Sequence, residues 1–384
     1  MDKRALNRIF SLRKIKQKAV GAVLSFLKVA AFFAGCFLGM FCVLKSAESG
    51  SDLFYYAMAF AAPGSAIELL QEPVFYDEAD LSTQIPEYET DEQPFEQITE
   101  KPNDAPEDTE LFLPEIPENR RGTVTETQYS AKEGGLYVAF GNAIIKNCTT
   151  HSAQKIKSKL AESHELFLST EIGSLSQVLI YHTHATEGYE PFDCGYFDTA
   201  GTWRSTDPDK NMIAVGNALE AVLEKQGIGV IHDGTMHDDP SYNGSYQRSA
   251  VTIKGHLDEN PTVEVCLDIH RDAIEPSEKE IIKPTAVING KKAAQIMIIA
   301  GCDDGTMNMP DYWENLRFAA ALADKLEELY PGITRPVLFD YRKYNMDLSP
   351  GLLLIEIGAT GNTLEEAKYS AELLGNALAE LLAE

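Results

Sequence analysis

Apolar and polar positions divide the chain into three regimes. An apolar run from Ala19 to Leu44, with Lys28 as its only charge, follows a polar, basic start. Between Pro63 and Glu118 no periodicity is sustained. From about Gly134 onward, short apolar runs alternate with amphipathic stretches. The runs Leu136–Phe140, Gln177–His182, Gly227–Ile231, Val263–His270, Thr285–Asn289, Ile296–Ala300 and Leu352–Ile357 have the length and composition of strands. Asn211–Gln226, Asp311–Tyr330 and Thr363–Ala383 have helical spacing. Asp311 with Glu314, and Thr363 with Glu366, predict capping boxes at the last two helices, and Pro331-Gly332 closes the first of them. Such alternation predicts an α/β domain, 131–384, with a mostly parallel sheet flanked by helices. Ligands in such sheets sit beyond the carboxyl ends of the strands.

Charge sharpens the first two regimes. Residues 1–18 carry seven basic side chains against Asp2 alone. A spanning helix needs about 20 apolar residues, so 19–44 is expected to be a transmembrane anchor, with Lys28 snorkelling toward the headgroups. The basic flank puts residues 1–18 in the cytoplasm and everything after Lys45 outside the cell membrane. A cleaved signal peptide is the competing reading, against which stands the length of the basic region. Leu53–Ala62 is too short for a second span and suits the membrane interface. Pro63–Glu118 holds 17 acids and one base, Lys101. Such a segment cannot bury enough apolar surface to offset its ordering entropy, so 45–130 is expected to be a largely disordered extracytoplasmic linker, reaching about 40 Å or more. The net charge of −26 argues against a nucleic-acid partner. Six cysteines without a C-x-x-C pair argue against a cysteine-rich zinc knuckle, and buried free thiols are the default, a disulfide among Cys148, Cys194, Cys266 and Cys302 being the alternative.

Chemistry gathers where apolar runs end. Val178–Tyr181 is followed by His182, His184 and Glu187. His184 and Glu187 are three apart and face the same way if the chain turns helically there. Imidazole and carboxylate donors suit zinc, and a third ligand leaves one position open for water. His270 ends a second apolar strand, with Asp268 on the same strand face as an acceptor to orient its ring. Glu356 is the only charge in Gly351–Gly358. A carboxylate inside an apolar strand is paired or near a metal: either a salt bridge to Arg271 or Arg342, or a general base that takes a proton from water and passes it to a leaving amine. His-x-x-Glu, a later His and a strand Glu make the constellation of a mononuclear zinc amide hydrolase.

That constellation resembles the zinc carboxypeptidase and cell-wall amidase superfamily, and within it the stage II sporulation protein P family of membrane-anchored peptidoglycan hydrolases. The residues that carry the resemblance are His182-Thr183-His184 with Glu187, His232-Asp233-Gly234-Thr235 with Asp238, Tyr242 through Ser249, Asp268 through Asp272, Leu348 through Gly351, and Ile355 through Gly358 followed by Gly361 through Ala367. The sequence departs from the family's pattern at Met309–Trp313 and at Lys343–Met346. The resemblance implies zinc (Zn2+) as cofactor and cleavage of the N-acetylmuramoyl-L-alanine amide of peptidoglycan, with peptide cross-links as a second class of bond. It also implies work in the septal space during sporulation engulfment, beside stage II sporulation proteins D and M. His184, Glu187 and His270 are the expected metal ligands and Glu356 the catalytic base. His182 is expected behind the ligands or facing substrate, although the choice between His182 and His184 stays open. Arg248 and Arg271 are candidates for gripping substrate carboxylates, with ordinary ion pairs as the alternative, and Asn243 is placed in the same surroundings. Two further readings are a catalytically silent peptidoglycan-binding tether and a zinc carboxypeptidase.

Overall fold

The computed structural model describes residues 115–162 and 176–383. The basic tail, the anchor at 19–44 and nearly all of the acidic linker lie outside the described residues. No helix among the described residues is long and apolar enough to cross a membrane.

In chain order, the elements are β1 (Arg121–Thr127), β2 (Tyr137–Phe140), β3 (Ala143–Asn147), α1 (Ala153–Leu160), β4 (Ser176–Tyr181), β5 (Tyr196–Asp198), α2 (Met212–Lys225) and β6 (Gly229–His232). Then come α3 (Ser245–Glu259), β7 (Val265–Asp272), β8 (Glu280–Ile288), β9 (Lys291–Ala294), β10 (Ile296–Gly301), α4 (Tyr312–Leu329), β11 (Val337–Asp340), β12 (Leu352–Ala359) and α5 (Leu364–Ala383). The class is α/β, but the sheets are mixed. An eight-stranded sheet runs β2-β3-β11-β10-β12-β7-β4-β6. β2 pairs antiparallel with β3, and β10 with β12, while the other pairings are parallel. A second sheet, β5-β1-β8-β9, has one parallel pairing, β1 with β8. The expectation of a mostly parallel sheet holds for five of the seven pairings of the large sheet, but the sheets are mixed, for a local reason. β8 and β9 are joined through Asn289-Gly290, both at positive φ, and this hairpin reverses the chain before β10 enters the large sheet. β1 also carries the folded region back to Arg121, ahead of the expected boundary at residue 131.

The centre of the large sheet follows from composition. All eight residues of β12 are buried, as are seven of the eight in β7. Strands covered on both faces read as continuous apolar runs. Alternation sends Val178, Ile180, Leu267, Ile269, Ile355 and Ile357 into one core, beneath α2, α4 and α5. Leu179, Tyr181, Cys266, Leu352 and Leu354 enter a second core under α3, through Tyr246 and Ile253. Lys283 of β8, 1% exposed, sets its ammonium 2.7 Å from both Asp193 and Glu366, tying the small sheet to α5.

The box at α5 forms in both directions: Thr363 N–H donates to Glu366 (3.0 Å) and Glu366 N–H to Thr363 Oγ1 (3.3 Å). At α4 it does not. The Asp311 side chain makes no cap, and Glu314 pairs with Arg317. Gly332 takes φ 87° after that helix, the left-handed conformation that ends helices. Cys148, Cys194, Cys266 and Cys302 are all free thiols.

Ile355 is fully buried on the middle of β12, so truncation leaves a cavity walled by both strands and helices. Ile355→Ala is expected to lower unfolding free energy by about 2–5 kcal/mol, read as a shift in the urea midpoint at unchanged slope.

Candidate metal centre

The site is built where β4, β7 and β12 end side by side. His182 continues the alternation of β4 on the side of Ile180, toward α2, and is fully buried. Its Nδ1 lies 3.0 Å from the Ile269 carbonyl and its Nε2 2.9 Å from Nε2 of His232. After His182 the chain makes one turn, with Glu187 N–H donating to the His184 carbonyl (3.2 Å), which brings His184 and Glu187 to the same side. Their Nδ1 and Oε1 atoms are 3.7 Å apart. His270 on β7 presents its Nδ1 to the other Glu187 oxygen at 3.6 Å, and the His184 and His270 rings lie 5.0 Å apart at 78°. One donor atom from each of His184, Glu187 and His270 falls within 4.8 Å of the others, and all three side chains are buried. Glu356 is the partner of His270 across the parallel β12–β7 pairing, so both side chains leave the sheet on the same face.

Asp268 joins the segment that bears His184 and Glu187 to the one that bears His270. It accepts from Thr183 N–H (2.8 Å) and Thr183 Oγ1 (2.7 Å), and its Oδ1 lies 2.9 Å from His270 Nε2, with the N–H off the line of a straight hydrogen bond. On the other flank, His184 Nε2 is 3.0 Å from Ser245 Oγ at the start of α3. The Tyr242 ring stacks on His184 at 4.5 Å, and Arg204 sits over Tyr242 with its guanidinium 2.8 Å from Asp238 and 3.7 Å from Glu187.

Burial lowers the pKa of His184 to about 3 against the pull of Glu187, so its imidazole is neutral at physiological pH. Burial opposes charge on Glu187, but Arg271 and the imidazoles outweigh it and hold the carboxyl well below the usual range. Burial opposes charge on His270 as well, yet Asp268 and Glu187 push its pKa well above the ordinary value. Glu187 is therefore ionised, held so by the Arg271 guanidinium and the two imidazoles around it.

The donor set fits a divalent ion of the zinc type. With Nε2 of His184 turned to Ser245 and Nε2 of His270 turned to Asp268, both Nδ1 atoms face Glu187. Outer partners of this kind fix the tautomer and orientation of metal-binding imidazoles. Two imidazoles and one carboxylate leave a tetrahedral ion one open position.

Other expected site residues are placed differently. His182 lies on the α2 face of the sheet, behind β7, against the backbone that carries His270, and so on the opposite side from the His270 and Glu356 side chains. Arg248 uses its guanidinium on the backbone carbonyls of His237, Asn243 and Ser241, which makes it a loop brace rather than a carboxylate grip. Arg271, 9% exposed, donates from Nε to the Gly188 carbonyl (3.0 Å) and from its backbone N–H to Glu187 (3.3 Å). Asn243 is exposed and contributes its carbonyl to Arg248. Arg342 pairs with Asp340. Tyr242, Ser245 and Arg204 are the neighbours that sequence reasoning missed. The first two lie just before and at the start of α3, in a stretch that carries the family resemblance but whose residue types alone assign no role at the site, and nothing local marks Arg204.

Gly216 of α2 packs onto the His182–His232 pair, and a Cβ there would lie 2.5 Å from His232 Nε2 and 2.8 Å from His182 Nε2. In an exposed helix, Gly→Ala stabilises by about 1 kcal/mol. Here Gly216→Ala is expected to destabilise by about 1–3 kcal/mol through overpacking. A raised urea midpoint would show that the contact is not close.

The family model described as Stage II sporulation protein P (SpoIIP) matches residues 75–379. Stage II sporulation protein P of Bacillus subtilis (strain 168) is 30% identical over 226 residues, which cover 54% of this chain and 52% of that protein. The chain thus spans about half the length of this curated relative. Among solved structures, the N-acetylmuramoyl-L-alanine amidase AmiC2 of Nostoc punctiforme is 12% identical, covering 55% of this chain and 96% of its own, with a TM-score of 0.33. The CwlD amidase from Clostridioides difficile, in complex with the GerS lipoprotein, is 12% identical, covering 54% of this chain and 95% of its own, with a TM-score of 0.30. The matched family model takes in His184, Glu187, His270 and Glu356 and most of the sequence around them, and the chain belongs to the stage II sporulation protein P family.

Proposed function

We propose that this chain is a zinc-dependent peptidoglycan hydrolase of sporulation that cleaves the amide between N-acetylmuramic acid and L-alanine. The observation that carries the reading is the convergence of His184, Glu187 and His270 within 4.8 Å in a buried pocket, with Glu356 in register beside His270. His184, Glu187 and His270 would hold the ion, the two imidazoles presenting Nδ1 toward the Glu187 carboxylate. Zinc held there supplies a Lewis acid, which lowers the pKa of water and polarises the scissile carbonyl. Asp268 holds the His270 ring in place. Glu356, 5% exposed, takes a proton from the attacking water and delivers it to the departing amine nitrogen.

Residues 19–44 anchor the protein in the cell membrane with the N-terminus in the cytoplasm, and the acidic linker carries the hydrolase domain into the septal space. Stage II sporulation proteins D and M are the proposed partners there. Peptide cross-links are the second class of bond to be tested.

Glu356→Gln is expected to retain wild-type zinc content by elemental analysis while turnover on purified sacculi falls about 100-fold or more. His270→Ala is expected to lose both. Full activity in Glu356→Gln would falsify the role of Glu356 as base. Mass spectrometry of the released muropeptides identifies the bond: whole stem peptides indicate the amidase and single amino acids a carboxypeptidase. Sacculus binding without any product indicates a silent tether.

A further inference from the structure

A cavity of 340 Å³ opens where β5, the loop after it and the segment between β7 and β8 meet. That volume lies within the range of small-molecule sites, about 300–1,000 Å³. Its aromatic wall is Phe197 and Trp203, with ring centroids 5.4 Å apart. Its polar wall includes Glu275, Ser277, Glu278 and Lys279.

The cavity is an extension of the metal centre's own segments. Gly188, next after Glu187, donates its N–H to the Trp203 carbonyl (2.7 Å). Arg204, next after Trp203, bridges to Glu187. Glu275 lies five residues beyond His270 and is 3.4 Å from the hydroxyl of Thr360, four residues beyond Glu356. Each segment that brings a side chain to the centre therefore continues into a wall of the cavity or into contact with one.

Trp203 is held as a platform. Its indole N–H donates to Glu190, which fixes the ring where it lines the cavity. An aromatic face carries partial negative charge and attracts the slightly positive C–H groups of a saturated ring. Carboxylates only accept hydrogen bonds and an ammonium only donates them, so Glu275 and Glu278 beside Lys279 call for a ligand offering both donors and acceptors on one small ring. A pyranose with hydroxyl and acetamido groups does so. A cationic side chain would also suit an aromatic face ringed by carboxylates, but the Lys279 ammonium on the same wall repels it.

We infer that this cavity binds a sugar ring of the glycan strand against Trp203, and so sets which stretch of glycan lies over the metal centre. Its place in catalysis rests on the hydrolase reading; the binding itself does not. The test is isothermal titration calorimetry of the full-length chain in detergent, with the β-1,4-linked tetramer of N-acetylglucosamine as probe. Binding is expected in the wild type. The dissociation constant is expected to rise at least 10-fold in Trp203→Ala, and likewise in a Glu278→Ala, Lys279→Ala double variant, whose changes lie on the exposed rim. Zinc content and melting temperature should match wild type in the double variant, so it decides the matter alone if Trp203→Ala folds poorly. Absence of wild-type binding, or equal affinity in the variants, overturns the proposal. So does binding of lysine amide in place of the sugar. Sacculus digestion by the same preparations separates the two readings: digestion without sugar binding sinks this inference alone. Sugar binding without digestion sinks the hydrolase reading and leaves the saccharide site standing.

Discussion

The centre depends on one buried carboxylate. Asp268 is fully buried, and burial alone would drive it toward its neutral form; the neighbouring His270 and the two donors of Thr183 hold it ionised and below the ordinary carboxylate range. A carboxylate in that position does two jobs at once. It accepts the backbone N–H of Thr183, which fixes where β4 ends and where the turn carrying His184 and Glu187 begins. It also sits against Nε2 of His270 and turns Nδ1 toward Glu187. Remove the charge and both the turn and the ring lose their reference. A buried charge is tolerated only when its partners are in place, and here those partners are the site itself.

The two faces of the large sheet divide the labour. One is covered by α2, α4 and α5 over a continuous aliphatic core, which supplies most of the apolar burial. The other is covered by α3 over a smaller core with Tyr181, Tyr246 and Tyr344, and this is the face that opens onto His270 and Glu356. His182 belongs to the first face and His270 to the second, although both are buried histidines at strand ends. The first face also carries a polar chain from the Ile269 carbonyl through His182 and His232 to Glu220, housed by the missing side chain of Gly216. It reaches the backbone of the strand bearing His270 from behind, so that strand is held by polar contacts on both sides.

Much of this was legible in the sequence because strand and helix periods are local. The apolar runs that became β4, β7, β10 and β12, and the stretches that became α2, α4 and α5, declare themselves by spacing alone. His184 and Glu187 could be paired because three residues span one turn, and Asp268 could be assigned to the ring of His270 because two residues share a strand face. The Asn289-Gly290 pair was a readable hairpin signal, and it explains the antiparallel strand that a simple alternation of strands and helices leaves out. β1 was hidden for a compositional reason: its sequence, Arg-Gly-Thr-Val-Thr-Glu-Thr, is polar and follows directly on an acidic, proline-rich stretch. Only pairing with β8 and β5 makes it a strand.

By itself, the sequence determined the α/β class and brought out His182 or His184, Glu187, His270 and Glu356 as candidates at three strand ends, since residue identity and period need no partner to be read. Tertiary structure alone decided which of the two early histidines faces the centre, that Arg248 and Arg271 brace backbone, and that Tyr242, Ser245 and Arg204 close the pocket. Those outcomes depend on which segments meet across long stretches of chain. Burial and neighbouring charges together then set the charge of His184, Glu187 and His270, and both are properties of the surroundings that no local pattern encodes.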